Sequence, residues 1–172
     1  DVKKIAHRDP KIDNILLKYE KDENQWNLKM ADFGEMSVPR KDILETYSNS
    51  IPTHDKRKGA AFYFPPERSV VKSSKQRIEF CQENEGNAKA LFKLNAADDM
   101  WRCGLVLLEI NLGRSIYDET KKILEEQALG PLCLQEEYLN VLRQSVKDSM
   151  YRALISGMLD FDFEERLTAN EA

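Results

Sequence analysis

The string His7-Arg8-Asp9-Pro10-Lys11-Ile12-Asp13-Asn14, followed at a distance by Asp32-Phe33-Gly34, decides how this chain is read. An acid, a lysine two residues on and an amide five residues on fall within one short loop. Transfer of a phosphoryl group to a hydroxyl needs the hydroxyl oriented and relieved of its proton, a cation facing the phosphate, and oxygen ligands for a metal ion. Asp9, Lys11 and Asn14 can supply all three, and Asp32 adds a carboxylate for metal. Five residue types at fixed spacing are more than the composition of a polar loop accounts for. Asp32-Phe33-Gly34 alone is a weak signal; downstream of the first string it is a strong one.

The residues between the two strings predict how they meet. Asn14-Ile15-Leu16-Leu17-Lys18-Tyr19 reads as a short apolar strand, and residues 20–25 as a polar turn. Trp26-Asn27-Leu28-Lys29-Met30-Ala31 alternates apolar and polar, the period of a second strand. A hairpin follows, and it brings Asn14 and Asp32 near each other.

Further out the pattern changes. From Gly34 to Pro66 no period holds, and Pro39, Pro52, Gly59, Pro65 and Pro66 punctuate a long loop of the kind that is usually functional or mobile. Residues 70–93 are polar and charged and are set apart as an insertion, helical in part. Asp98 to Leu112 predicts a helix, apolar nearly all round and therefore buried, with Asp98 and Asp99 at its start and Gly113 at its stop. Helices are also expected over 118–129, 135–144 and 148–159, the last with Met150, Leu154 and Met158 on one face. The fold class is mainly α, with a short β-hairpin carrying the catalytic and metal-binding residues.

Composition bounds the remaining choices. The chain has 172 residues, of which 41% are hydrophobic and 33% charged, enough for one domain with a core. A net charge of −4 argues against a nucleic-acid partner. Cys81, Cys103 and Cys133 are odd in number and widely spaced, which favours a reducing, intracellular compartment, the cytoplasm first, over a disulfide framework or zinc site. No apolar run approaches the ~20 residues of a membrane span. With no initiator Met and no leader-like start, the sequence reads as a piece of a longer polypeptide.

The string at His7–Asn14 resembles the catalytic loop of protein kinases, and Asp32-Phe33-Gly34 the family's metal-binding triplet. Gly59-Ala60-Ala61-Phe62-Tyr63-Phe64-Pro65-Pro66-Glu67 is similar to the end of the family's activation segment. Asp99-Met100-Trp101-Arg102-Cys103-Gly104 is similar to the start of its central buried helix, and Arg166-Leu167-Thr168-Ala169-Asn170-Glu171-Ala172 to a motif near the end of the domain. The five motifs keep the family's order across residues 1–172.

The resemblance implies a role at each matching position. Asp9 is expected to be the catalytic base and Lys11 to contact the γ-phosphate of ATP, the co-substrate. Asn14 and Asp32 would bind Mg²⁺ or Mn²⁺, and Leu16 would form the floor under the adenine. His7 and Phe33 would stack in an internal apolar column anchored by Asp99, next to Gly34. Glu67 would pair with Arg166. Arg8 would hold a phosphate placed on the activation segment by an upstream kinase, with Thr53 the favoured acceptor. Lys11 favours Ser/Thr over tyrosine as the acceptor in a protein substrate.

The same resemblance implies that the chain is a partial domain, from the catalytic loop to the start of the last helix, without the small lobe that clamps ATP. No Gly-rich loop occurs in it. Alone it is expected to turn over little or not at all. Pro10, Ile12, Ala60 and Pro65 depart from the family's usual residues and put the support of the loop in question. The competing readings are a catalytically inactive kinase-fold scaffold, and a small-molecule phosphotransferase, against which Glu67 and Arg166 speak.

Overall fold

Apolar alternation does produce the hairpin. In the computed structural model, which describes residues 5–36, 63–69, 78–116 and 136–172, strand β1 (Ile15–Glu20) pairs antiparallel with β2 (Gln25–Met30). Ile15 faces Met30, and Glu20 faces Gln25. Asn24 closes the turn with a φ of 51°, a left-handed geometry that Asn tolerates well. The Tyr19 and Trp26 rings lie 5.1 Å apart across the ladder. A lone two-stranded hairpin is marginal in water. This one is tied at its base: the Ala31 N–H donates to the Asn14 carbonyl at 2.8 Å, and Ile15 packs on the main core. Its remaining apolar side chains, Leu16, Leu17, Trp26 and Leu28, stand exposed.

The helices follow. Helix α1 is a single turn, Pro66–Ser69; α2 covers residues 78–83; α3 runs from Ala88 to Leu112; α4 is Glu136–Gln144; α5 is Ser149–Met158. Among the described residues the chain is therefore helix-rich with one two-stranded sheet. Residues 118–129, Thr53, Ala60 and Cys133 lie outside the described residues.

Helix α3 starts at Ala88, not at Asp98. The Asn87 side chain caps it by accepting the Ala90 N–H at 3.2 Å, and the helix-forming run Ala88-Lys89-Ala90-Leu91 follows. Residues 88–93, placed at the end of the expected insertion, form its first turns. Asp98 and Asp99 thus sit in mid-helix, and Asp99 accepts the His7 and Arg8 N–H groups instead of capping the helix. The stop is where it was expected: Gly113 adopts φ 66° and donates its N–H to the Glu109 and Ile110 carbonyls.

The core forms around α3. Trp101, Leu105, Val106 and Leu108 of that helix pack with Leu139 and Leu142 of α4, Ile155 of α5, and Leu159. A smaller cluster joins Leu94, Ala97 and Phe163, flanked by Phe80 of α2. On α5 the buried face is Ile155 and Met158, while Met150 is exposed. The expected Met150–Leu154–Met158 stripe therefore misplaces the face. Of the i, i+4, i+8 series only Met158 is buried, and the inner line runs through Ile155, Met158 and Leu159.

Candidate functional site

The His7–Asn14 string folds as a bend followed by a single 3₁₀ turn at Ile12–Asn14, immediately before β1. The Asn14 N–H closes this turn on the Lys11 carbonyl at 3.0 Å. The stretch after β2 mirrors it, with a 3₁₀ turn at Phe33–Glu35. Asn14 and Asp32 flank the hairpin at its base, one before β1 and one after β2.

Around Asp9 the side chains converge. Lys11 Nζ donates to Asp9 Oδ2 at 2.7 Å. Asn14 Nδ2 donates to the Asp9 carbonyl at 3.0 Å and to Oδ2 at 3.3 Å. Arg102 Nη1, from mid-α3, donates to Oδ1 at 3.3 Å. The Asp9 hydrogen bond, aided by the charges of Asp9, Asp13 and Asp32 against a burial effect, raises the Lys11 pKa above its usual value. Lys11 is thus a fixed positive charge at neutral pH. The Asp9 side chain keeps 20% of its surface open, so an approaching hydroxyl can reach it.

The loop behind Asp9 is held from α3. The His7 and Arg8 N–H groups donate to the two Asp99 carboxylate oxygens at 2.5 and 2.7 Å. His7 Nε2 donates to the Ala31 carbonyl at 2.8 Å, which leaves Nδ1 to accept the Asp9 N–H at 3.3 Å. One neutral tautomer satisfies both bonds. Arg8 takes φ 69° and Asp32 φ 59°, left-handed conformations that the surrounding bonds must hold in place. The His7 and Phe33 rings lie 4.7 Å apart. His7 is buried, but Phe33 is nearly half exposed.

The remaining candidates lie as follows. Leu16 is exposed on β1. Gly34 donates its N–H to Asp32 Oδ1 at 3.3 Å. Glu67 and Arg166 meet in a bidentate pair at 2.8 and 2.7 Å, both side chains wholly out of water. Arg166 also donates to the Ala97 and Asp160 carbonyls and stacks over the Trp101 ring at 5.0 Å.

The described residues contain no cluster of three or more His, Cys, Asp and Glu poised to hold a metal ion. A two-oxygen site from Asn14 and Asp32 suits a cation that takes its other ligands from phosphates and water. The bonds made by Asn14 use its Nδ2, and the Gly34 bond uses Asp32 Oδ1, so Asn14 Oδ1 and Asp32 Oδ2 take no part in them. The donor set therefore fits Mg²⁺ carried with a nucleotide. Burial pushes the Cys103 thiol up to about 11, which leaves it a poor nucleophile at neutral pH. No helix among the described residues is long and apolar enough to cross a membrane.

Two polar contacts escaped the sequence reading. Arg102 was taken only as a variable position in a motif, although it is the sole basic residue between Leu94 and Leu112. Glu109, buried on the same helix, accepts the Tyr63 hydroxyl at 2.7 Å and the Ile116 N–H at 2.9 Å. Burial and that bond push the Tyr63 hydroxyl up from its usual pKa. A charge inside an apolar helix was the available signal in both cases.

The comparisons with known proteins bear on the family and the fold. The family model described as the protein kinase domain matches residues 2–172. The CBL-interacting serine/threonine-protein kinase 21 of Arabidopsis thaliana is 29% identical over 116 residues, covering 67% of this chain but 20% of that protein. Among solved structures, a chain of the yeast RNA Pol II CTD kinase CTDK-1 complex superposes with a TM-score of 0.52 at 20% identity, over 98% of this chain and 54% of that one. That likeness shows the fold. The chain thus spans about a fifth of its curated relative and about half of the solved one. With its family's model matched along nearly its whole length, this chain belongs to the protein kinase domain family.

Proposed function

We propose that the protein carrying this chain transfers the γ-phosphate of ATP to a Ser or Thr hydroxyl of a protein substrate. The observation that carries the reading is the Asp9 carboxylate, gripped by Lys11 and Asn14 and still open to an incoming hydroxyl. Asp9 orients the hydroxyl and accepts its proton as the oxygen attacks phosphorus. Lys11 faces the charge that develops on the transferring phosphoryl group. Asn14 and Asp32 would hold Mg²⁺ or Mn²⁺, which would supply positive charge against the nucleotide's phosphates. Leu16, exposed on β1, offers an apolar surface to the adenine. The ATP clamp comes from a small lobe of the same polypeptide, and the exposed apolar hairpin suits such a cover.

Lys11 and the name of the Arabidopsis relative support Ser/Thr over tyrosine. Arg8 supports control by an upstream kinase: its Nε is buried without a hydrogen-bond partner among the described residues, which suits it to receive a phosphate, with Thr53 the favoured acceptor.

The test is a phosphotransfer assay of the full-length protein with Mg-ATP and a generic basic protein, beside Asp9→Asn and Asp32→Asn. Each variant is expected to lose about 10²–10⁴-fold in rate, with label on phosphoserine or phosphothreonine. Equal signal from all three proteins refutes the enzyme reading and leaves the inactive scaffold. Label on tyrosine alone refutes the acceptor class.

A further inference from the structure

Helix α3 reaches the catalytic loop twice. Asp99 and Arg102 are three residues apart and share one helix face. Asp99 takes the backbone of the loop through the His7 and Arg8 N–H groups. Arg102 takes the side chain at the loop's centre, Asp9 Oδ1, at 3.3 Å.

Arg102 is 2% exposed. A guanidinium stays charged at any pH a protein survives, so burying it demands a partner. Among the described residues Asp9 is the carboxylate it bonds, and its Nε finds no partner there. The Arg102 guanidinium also lies 5.2 Å from the centre of the Phe64 ring, a packing that confines the long side chain.

The consequence is for Asp9. An aspartate carboxylate turns easily about its last torsion, which has broad minima. Lys11 and Asn14 both bear on Oδ2, and among the described residues no side chain of the loop itself bonds Oδ1. Arg102 ties Oδ1 from the buried side. Lys11 and Asn14 take both lone pairs of Oδ2, and Oδ1, with the single Arg102 bond, retains one for a substrate hydroxyl.

We propose, on the kinase reading above, that Arg102 is a positioning residue that fixes the plane of the Asp9 carboxylate for proton acceptance. It touches neither substrate nor nucleotide in this role; it acts through Asp9.

The experiment compares the full-length wild type with Arg102→Met, Arg102→Gln and Arg102→Lys, reading kcat, KM for ATP, melting temperature, and hydrogen exchange of the amides of residues 7–14. Arg102→Met and Arg102→Gln are expected to lower kcat about 10- to 100-fold. KM for ATP should stay within about twofold, because ground-state binding is untouched. Arg102→Lys, which restores a charge, should recover much of the loss. The amides should exchange faster in the Met and Gln variants. Should Arg102→Met fail to fold, Arg102→Gln decides.

An unchanged or higher kcat in the neutral variants overturns the proposal, as does a rise in KM with kcat preserved. So does a Lys variant as slow as the neutral ones. A wild type that transfers no phosphate refutes the kinase reading instead. Hydrogen exchange then decides alone: faster exchange supports the grip of Arg102 on the loop, and unchanged exchange overturns it.

Discussion

Asp99 is held as a carboxylate against the effect of its surroundings. Burial raises its pKa from 3.8 to about 6, with a smaller push from Asp98, while the Arg8 and His7 N–H bonds and the Arg102 charge pull it back. The folded protein therefore binds this proton more tightly than the unfolded chain does. Its contribution to stability is fully present below about 3.8 and is lost as pH rises through about 6. At about 1.4 kcal/mol per pKa unit, the swing is on the order of 3 kcal/mol. Asp99→Asn removes the titration and should flatten the dependence of unfolding free energy on pH between 4 and 6 relative to wild type. Parallel profiles for the two proteins across that window would rule the account out. The role of Asp99 as an anchor was legible from its motif. Its awkward protonation was not, because it arises from burial, which exists only once the chain has folded around α3.

At the scale of elements, the joint between α3 and α5 depends on a missing side chain. A Cβ at Gly104 would lie 2.8 Å from the Leu159 side chain and 3.0 Å from Met158 Cβ. The two helices meet where α3 has no side chain at all. Gly104→Ala should cost about 1–3 kcal/mol through overpacking, even though alanine is the better helix former. Denaturant unfolding measures it, and a stabilised variant would show that Leu159 yields freely. Helix α3 was legible from its apolar run, yet its start was not. Residues 88–93 carry helix propensity without an apolar stripe, and the capping role of Asn87 emerges only with the backbone in place.

For the molecule as a whole, Glu67 and Arg166 close the chain on itself across 99 residues of sequence. Their pair joins the turn of α1 to the segment beyond α5, and the Ala97 carbonyl adds a bond to α3. Glu67→Gln strands a buried guanidinium and should cost about 3–5 kcal/mol. The exposed Lys18–Glu20 pair is the control, since Glu20→Gln should change stability by less than about 1 kcal/mol. Equal small effects in urea unfolding would mean that water reaches Arg166.

The sequence by itself determined the hairpin and the apolar identity of α3. These depend on residue types at short spacing, and short spacing is what a linear pattern records. The grip of Arg102 on Asp9, the mid-helix placement of Asp99 and the Tyr63–Glu109 contact were decided only by the tertiary structure. Each joins residues tens of positions apart, and the desolvation that makes such a charge consequential exists only once the chain has closed around it.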